Sequence, residues 1–326
     1  MKLLAVGDTH FMGTPPRSRT DDFLKVQLRK FRDVLDLAEK HNALLICMGD
    51  VFNKVGVPLD VVNTIMRMLL KHRRTPRQFK PGGEGWRAPM VSPPGNHDLP
   101  GAELAAIRRT PFGLLVAAGA IRELTHEPYG PIDGVYIFGH TYMHGEELPE
   151  PIAGALNVLV THDMVIQEEL WREQPDDEYE LSTTYLENHP GFDLILCGHY
   201  HGDFMQRDGD RYIANPGALV RIKASKRDMA MEPGVLLYDT ETRRMRRIVI
   251  EHEPSEQIMD VSKAETKADV SPVVGELVQA IQTAGGNMPP VRKLSEVIVA
   301  HLKTTSCRKS VAKIVRGFFD DAQVTS

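Results

Sequence analysis

Six short apolar runs along the chain stop abruptly in polar residues: KLLAVGD, ALLICMGD, APMVSPPGNHD, GVYIFGHTY, LNVLVTHD and DLILCGHYH. Short continuous apolar runs bounded by glycine and polar residues read as buried β-strands. Between the first two, residues 21–41 place Phe23, Val26, Leu28, Phe31, Val34, Leu35 and Ala38 at helical spacing, and residues 58–71 do the same with Val61, Ile65, Met68 and Leu69. Such spacing builds one apolar helix face. The opening therefore reads β-α-β-α-β, which predicts an α/β layered domain whose ligand site lies at the polar strand ends.

The pattern changes later, where RYIANPGAL, GVLLYD and RMRRIVIEHE follow one another through PG and DTE turns. With no room for helices between them, antiparallel strands are expected. After Pro254 the chain turns polar, and helical patterns then recur at about 272–284, 293–304 and 308–320, the first two separated by GGNMPP. This predicts a domain over residues 1–254 and a helical C-terminal module over 255–326.

Composition refines this picture. A chain of 326 residues suits one large domain with an appendage, and 42% hydrophobic with 25% charged residues is ordinary for a soluble globular protein. The apolar run from Leu3 to Val6 is too short for a signal-peptide core, and no stretch approaches transmembrane length. Cys47, Cys197 and Cys307 are too few and odd in number for a disulfide framework, which favours a reducing cytoplasm. A net charge of −5 argues against a protein that coats nucleic acid by charge alone. It does not exclude a nuclease, because bound metal ions add local positive charge.

The chemistry sits where the apolar runs stop. Asp8 and His10 follow the first run, Asp50 the second, Asn96 and His97 the third, His162 a later one, and His199 and His201 the last. Residues two apart leave an extended strand end on the same side, as Asp8 and His10 do. Imidazoles, carboxylates and one amide make a mixed N/O donor set that suits manganese, iron or zinc better than calcium. A carboxylate such as Asp50 can bridge two cations, and a metal pair about 3.5–4 Å apart serves in-line displacement at phosphorus. Taken singly, a strand-end Asp is a turn former and a lone His is packing; five such motifs in order, each at a strand end, point to one dinuclear centre.

The ordered set D-x-H, GD, GNHD, H and GHxH resembles the calcineurin-like metallophosphoesterase superfamily over residues 1–240. The resemblance implies two facing β-sheets flanked by helices, a four-layer α/β sandwich. It also implies one metal held by Asp8, His10, Asp50 and His201 and a second held by Asp50, Asn96, His162 and His199, with His97 a non-ligand catalyst beside the leaving oxygen. Within the superfamily, GDVFNKVGVPLDVVNTIMRML, PGNHDLPG and ANPGALVRI are similar to SbcD-type nuclease subunits. That likeness implies Mn²⁺-dependent exonuclease and endonuclease action on DNA, with Fe²⁺, Zn²⁺ or Mg²⁺ as other metals the site accepts. It also implies an SbcC-type ATPase partner bound by the C-terminal helices, and a homodimer. Where many of these nucleases carry Asp or His after GD-x-F, this chain has Asn53. The alternative is a phosphodiesterase or phosphatase of the same superfamily acting on a small molecule, a nucleotide or a phosphoprotein.

Two basic stretches are candidate DNA surfaces: Arg67, Lys71, Arg73, Arg74, Arg77 and Lys80, and then Arg221, Lys223, Lys226 and Arg227. His140 and His144 are expected to line the substrate side rather than hold a third metal. Cys47 and Cys197, inside apolar strands, are expected to be core residues.

Overall fold

The computed structural model describes residues 1–72, 88–141, 148–167 and 179–263. The predicted helices at 272–284, 293–304 and 308–320, and with them Cys307, lie outside the described residues, as do residues 73–87 and 142–147.

The chain opens as its pattern predicts. Strands β1 (Lys2–Val6), β2 (Ala43–Cys47) and β3 (Met90–Ser92) lie side by side in parallel, and β4 (Ile121–Glu123) continues the series. Helix α1 (Phe23–Lys40) starts where the Asp22 side chain accepts the Lys25 amide at 3.3 Å, one of the donors every helix start leaves over. It ends at Asn42, whose φ of 50° suits a left-handed stop. Helices α2 (Leu59–Lys71) and α3 (Pro111–Ala117) bury their apolar sides in the same layer, with Val61, Ile65 and Leu69 from α2 and Phe112 and Leu115 from α3.

The second half builds the other layer. It contains β5 (Tyr129–Ile132), β6 (Val135–His140), β7 (Leu156–Thr161), the short β8 (Val165–Ile166) and β9 (Glu180–Leu181), α4 (Ser182–Asn188), β10 (Leu194–Cys197), β11 (Phe204–Asp208) and β12 (Arg211–Asn215). After α5 (Lys226–Ala230), β13 (Gly234–Asp239) and β14 (Arg244–Val249) return to the first sheet. Two sheets of six strands result, ordered β14-β13-β1-β2-β3-β4 and β11-β12-β10-β7-β6-β5.

Alternation within each strand divides the core. Leu3, Ala5, Leu44 and Ile46 face the second sheet and meet Ile137, Val158, Val160, Leu194 and Leu196 there. Their neighbours Leu4, Val6, Leu45 and Cys47 face α1 and α2. On the far side, Leu159, Ile195 and Cys197 pack with Tyr185 and Leu186 of α4. Strands buried on both faces need continuous apolar runs, which is why these stood out in the sequence. Each fully buried Leu or Val contributes roughly 1.5–3 kcal/mol.

Two expectations are corrected. The stretch from RYIANPGAL to RMRRIVIEHE is not a run of consecutive antiparallel strands: β12 lies parallel to β10 in the second sheet, antiparallel to β11, while β13 and β14 pair in the first. A helix does fit between them, since α5 is capped by Ser225, whose hydroxyl accepts the Asp228 amide at 3.0 Å. The residues after Pro254 begin by packing on this body: α6 (Ser255–Ile258) buries Ser255 and Ile258, and Met259 bridges to Arg19.

Candidate metal centre

Parallel pairing decides where the polar strand tails end up. In the first sheet β1, β2 and β3 run the same way, so Asp8, Asp50 and Asn96 leave from one edge. In the second, β7 and β10 are parallel, so His162 and His199 share an edge as well. The tails of the two sheets meet.

The contacts fall into two groups around Asp50. His10 Nε2 lies 2.9 Å from His201 Nε2 and 3.6 Å from Asp50 Oδ2, and His201 Nε2 lies 3.7 Å from Asp8 Oδ2. On the other side His162 Nε2 lies 3.3 Å from Asp50 Oδ2 and 3.1 Å from Asn96 Oδ1, which is itself 3.0 Å from His199 Nδ1. Asp50 therefore turns one oxygen, Oδ2, toward both groups, while its Oδ1 accepts the His97 amide at 2.9 Å. All seven residues predicted as ligands come together. Donor atoms about 3–3.7 Å apart match the edges of a coordination shell with bonds near 2.0–2.2 Å. Asp8 Oδ2 is fully buried with no hydrogen-bond partner, a costly state for a carboxylate oxygen that a cation would relieve. The donors fit a pair of divalent cations.

Backbone strain concentrates here. His10, Asp50 and His199 all have positive φ, at 43°, 47° and 65°. Non-glycine residues held in the left-handed region cost about 1–3 kcal/mol each and persist where surrounding structure forces them. Glycines make room: a Cβ on Gly95 would sit 2.1 Å from Asp50 Oδ1, and Gly49, at φ 96°, passes close to the His162 ring.

Two supporting residues were not anticipated as such. Asp98, 1% exposed, accepts the amides of Val51 at 3.1 Å, Phe52 at 2.9 Å and Gly95 at 3.1 Å, tying the Asp50 loop to the Asn96 loop. Asn215 donates to the Tyr200 carbonyl at 2.7 Å and accepts the Gly217 amide at 2.7 Å, locking the loop that carries His199 and His201. The tight GNHD and NPG motifs were the only available signals for them.

Charge follows from burial and neighbours. Burial drives the imidazoles of His10, His199 and His201 down, the last two to about 3 and about 4. His162 goes the other way: burial opposes its charge, yet the Asp50 and Asp8 carboxylates raise it to about 10. Burial, against the opposing pull of His162, lifts Asp8 to about 8. For Asp50, burial works upward but His162 and His10 outweigh it and hold the carboxyl below its usual range. Protons on His162 and Asp8 occupy places that cations would take.

His97 is set apart from the ligands by exposure. Its Nδ1 lies 2.6 Å from the Asn53 carbonyl oxygen and its ring 4.9 Å from that of His10. His140 is buried beside this centre, its carbonyl accepting the His162 amide at 3.1 Å, whereas His144 falls outside the described residues. One basic candidate is corrected: Arg221 is 3% exposed and spends its guanidinium on the carbonyls of Met231 and Glu253, so it offers no surface to DNA. Lys223 and Lys226 remain exposed. Cys47 and Cys197 are buried core thiols, both pushed up by burial and so unreactive.

Two mixed sheets with metal-capable residues converging at their strand ends define a metallophosphoesterase. The calcineurin-like phosphoesterase family pattern matches residues 1–203, and the chain belongs to that family of metal-dependent hydrolases. No curated protein sequence matches it. Solved structures that resemble it include a novel archaeal phosphodiesterase, at 16% identity over 77% of this chain and 100% of that one with a TM-score of 0.40. Another is Vps29 from Entamoeba histolytica complexed with zinc, at 11% identity over 77% and 100% with a TM-score of 0.30. A third is the inner-membrane-complex anchor GAP50 of Plasmodium, at 10% identity over 78% and 90% with a TM-score of 0.36. Among the described residues no helix is long and apolar enough to cross a membrane.

Proposed function

We propose that the protein is a Mn²⁺-dependent phosphodiesterase that hydrolyses DNA in the manner of SbcD-type nuclease subunits. The observation that carries the phosphodiesterase reading is Asp50 Oδ2, which faces His10 Nε2 at 3.6 Å and His162 Nε2 at 3.3 Å from between the two donor groups. The DNA reading rests on the likeness of residues 49–69, 94–101 and 214–222 to those nucleases.

Asp8, His10, Asp50 and His201 would hold one cation and Asp50, Asn96, His162 and His199 the other. A metal pair of this kind supplies an activated water and neutralises charge on the phosphoryl oxygens. The rest of the work falls to the chain. Hydrolysis forms one bond between water oxygen and phosphorus and breaks the bond to the leaving oxygen, which needs a proton. A carbonyl oxygen only accepts, so the Asn53 contact fixes His97 Nδ1 as a donor and leaves Nε2 to hold the exchangeable proton. Protonated His97 delivers it to the leaving oxygen. Burial around the donors excludes bulk water and strengthens each charge interaction.

The C-terminal module, residues 255–326, would bind an SbcC-type ATPase through its helices, and the protein would act as a homodimer in the cytoplasm. The test is a Mn²⁺ titration against single- and double-stranded DNA, bis(p-nitrophenyl) phosphate and a phosphomonoester, with Asp50→Ala as the blank. Metal-dependent cleavage of DNA that Asp50→Ala abolishes is the expected result. Turnover of the phosphomonoester alone overturns the nuclease reading, and full activity in Asp50→Ala overturns the dinuclear centre.

A further inference from the structure

Beside the metal centre, β4 and β6 enclose an open cavity of about 430 Å³ lined by Leu104, Glu123, Thr125, His126, Glu127 and Thr141. Its wall is anchored to the second donor group by main-chain hydrogen bonds. The His162 amide donates to the His140 carbonyl at 3.1 Å, and the Leu124 amide to the carbonyl of Ser92, four residues before Asn96, at 2.9 Å. At Gly139 the two sheets come so close that a Cβ would lie 2.5 Å from Leu124. The cavity wall is thus tied through main-chain hydrogen bonds to the strands that lead to Asn96 and His162.

The lining is rich in acceptors and carries acid. Glu123 and Glu127 contribute carboxylates, which accept hydrogen bonds. His126 is steered from behind: its Nε2 lies 3.3 Å from His140 Nδ1, and the two rings stack 5.5 Å apart at 11°. His140 Nε2 in turn lies 3.7 Å from Asp163 Oδ2, an oxygen already held at 2.7 Å by both Thr161 Oγ1 and Tyr185 Oη. A neutral His140 with its N–H toward Asp163 would offer Nδ1 as acceptor to the Nε2 hydrogen of His126. Burial raises the Glu123 carboxyl, while Arg122 and Arg108 lie close enough to draw it back toward its charged, accepting form. An uncharged group bearing O–H and N–H donors would be welcomed.

We propose that this cavity is the subsite for one nucleoside of the substrate, recognised through its sugar hydroxyl and base N–H donors by Glu127, Glu123 and His126. The proposal rests on the phosphodiesterase reading above and specifies which part of the ester lies beyond the phosphate.

The experiment compares thymidine 5′-(p-nitrophenyl phosphate) with bis(p-nitrophenyl) phosphate, which has no donor groups, at equal Mn²⁺. Glu127 is exposed, so Glu127→Gln is expected to fold; His126→Ala is the second variant. In each, the ratio of kcat/KM for the nucleoside ester to kcat/KM for the nitrophenyl ester is expected to fall about tenfold, mainly through KM. An unchanged ratio in both variants overturns the subsite. Saturation-transfer NMR with thymidine on the Mg²⁺-loaded protein needs no turnover. Binding that both variants weaken supports the subsite even if neither ester is hydrolysed, a result that would sink only the phosphodiesterase reading; absence of thymidine binding overturns the subsite itself.

Discussion

His97 Nδ1 lies 2.6 Å from the carbonyl oxygen of Asn53, so the imidazole is oriented by main chain rather than by a side-chain carboxylate. The departure from the nuclease pattern at Asn53 therefore does not remove the group that orients His97. Asn53→Ala should change kcat by less than about threefold, because the carbonyl remains. His97→Ala should lower kcat by roughly 10²–10⁴-fold while leaving bound metal intact, since proton transfer and not coordination is lost. Steady-state kinetics with metal analysis of the same samples checks both; metal loss in His97→Ala would recast it as a ligand.

Asp98 carries three main-chain amides that belong to two ligand loops. Asp98→Ala would leave buried N–H groups without a partner, each costing about 1–3 kcal/mol. Urea unfolding should show a clear loss of stability. Calorimetric titration should show metal affinity weakened about 10–100-fold, the usual consequence of freeing a ligand's support.

Metal binding should strengthen as pH rises. His162, raised to about 10, and Asp8, lifted to about 8, both hold protons near neutrality that must leave when a cation enters. His199 and His201, held near 3 and 4 by burial, are already neutral and add no such dependence. Mn²⁺ affinity should therefore increase by about tenfold or more per pH unit between 6 and 8. A flat profile would contradict this charge arrangement.

Lys30 offers a pH effect away from the metals. It is 1% exposed, with Nζ 3.4 Å from the Leu219 carbonyl, and burial, reinforced by Arg221 and Arg19, lowers it to about 7 against the pull of Glu253. Between about 7 and 10.5 the unfolded chain carries this proton and the folded one does not, so the Lys30 contribution to stability improves with rising pH by up to about 1.4 kcal/mol per unit. Below about 7 the buried amine must charge and its cost is fully present. Lys30→Met should raise the urea midpoint at pH 7 and narrow its advantage by pH 10.

Much of this was legible along the chain. β1, β2, β3, β6, β7 and β10 correspond to the apolar runs, and α1 and α2 to the helical spacings, because burial on one face or two writes a local period into the sequence. The ligand types were legible too, since each stands where an apolar run stops. The short β4, β5 and α4 left too little periodicity to read, and β11, largely exposed as FMQRD, has no apolar run.

What no local pattern contains is which strands become neighbours. The alternation of β12 is the same whether it pairs with β13 or, as it does, with β10 and β11. Only that pairing decides that tails separated by more than a hundred residues meet around Asp50, that Arg221 is spent on carbonyls inside the fold, and that His10, Asp50 and His199 are driven to positive φ. The sequence by itself determined the strands, the helices and the donors, because those depend on near neighbours. The tertiary structure decided that one oxygen of Asp50 faces both donor groups and that a backbone carbonyl aims His97, because those depend on distances between segments that meet only when the two sheets pack.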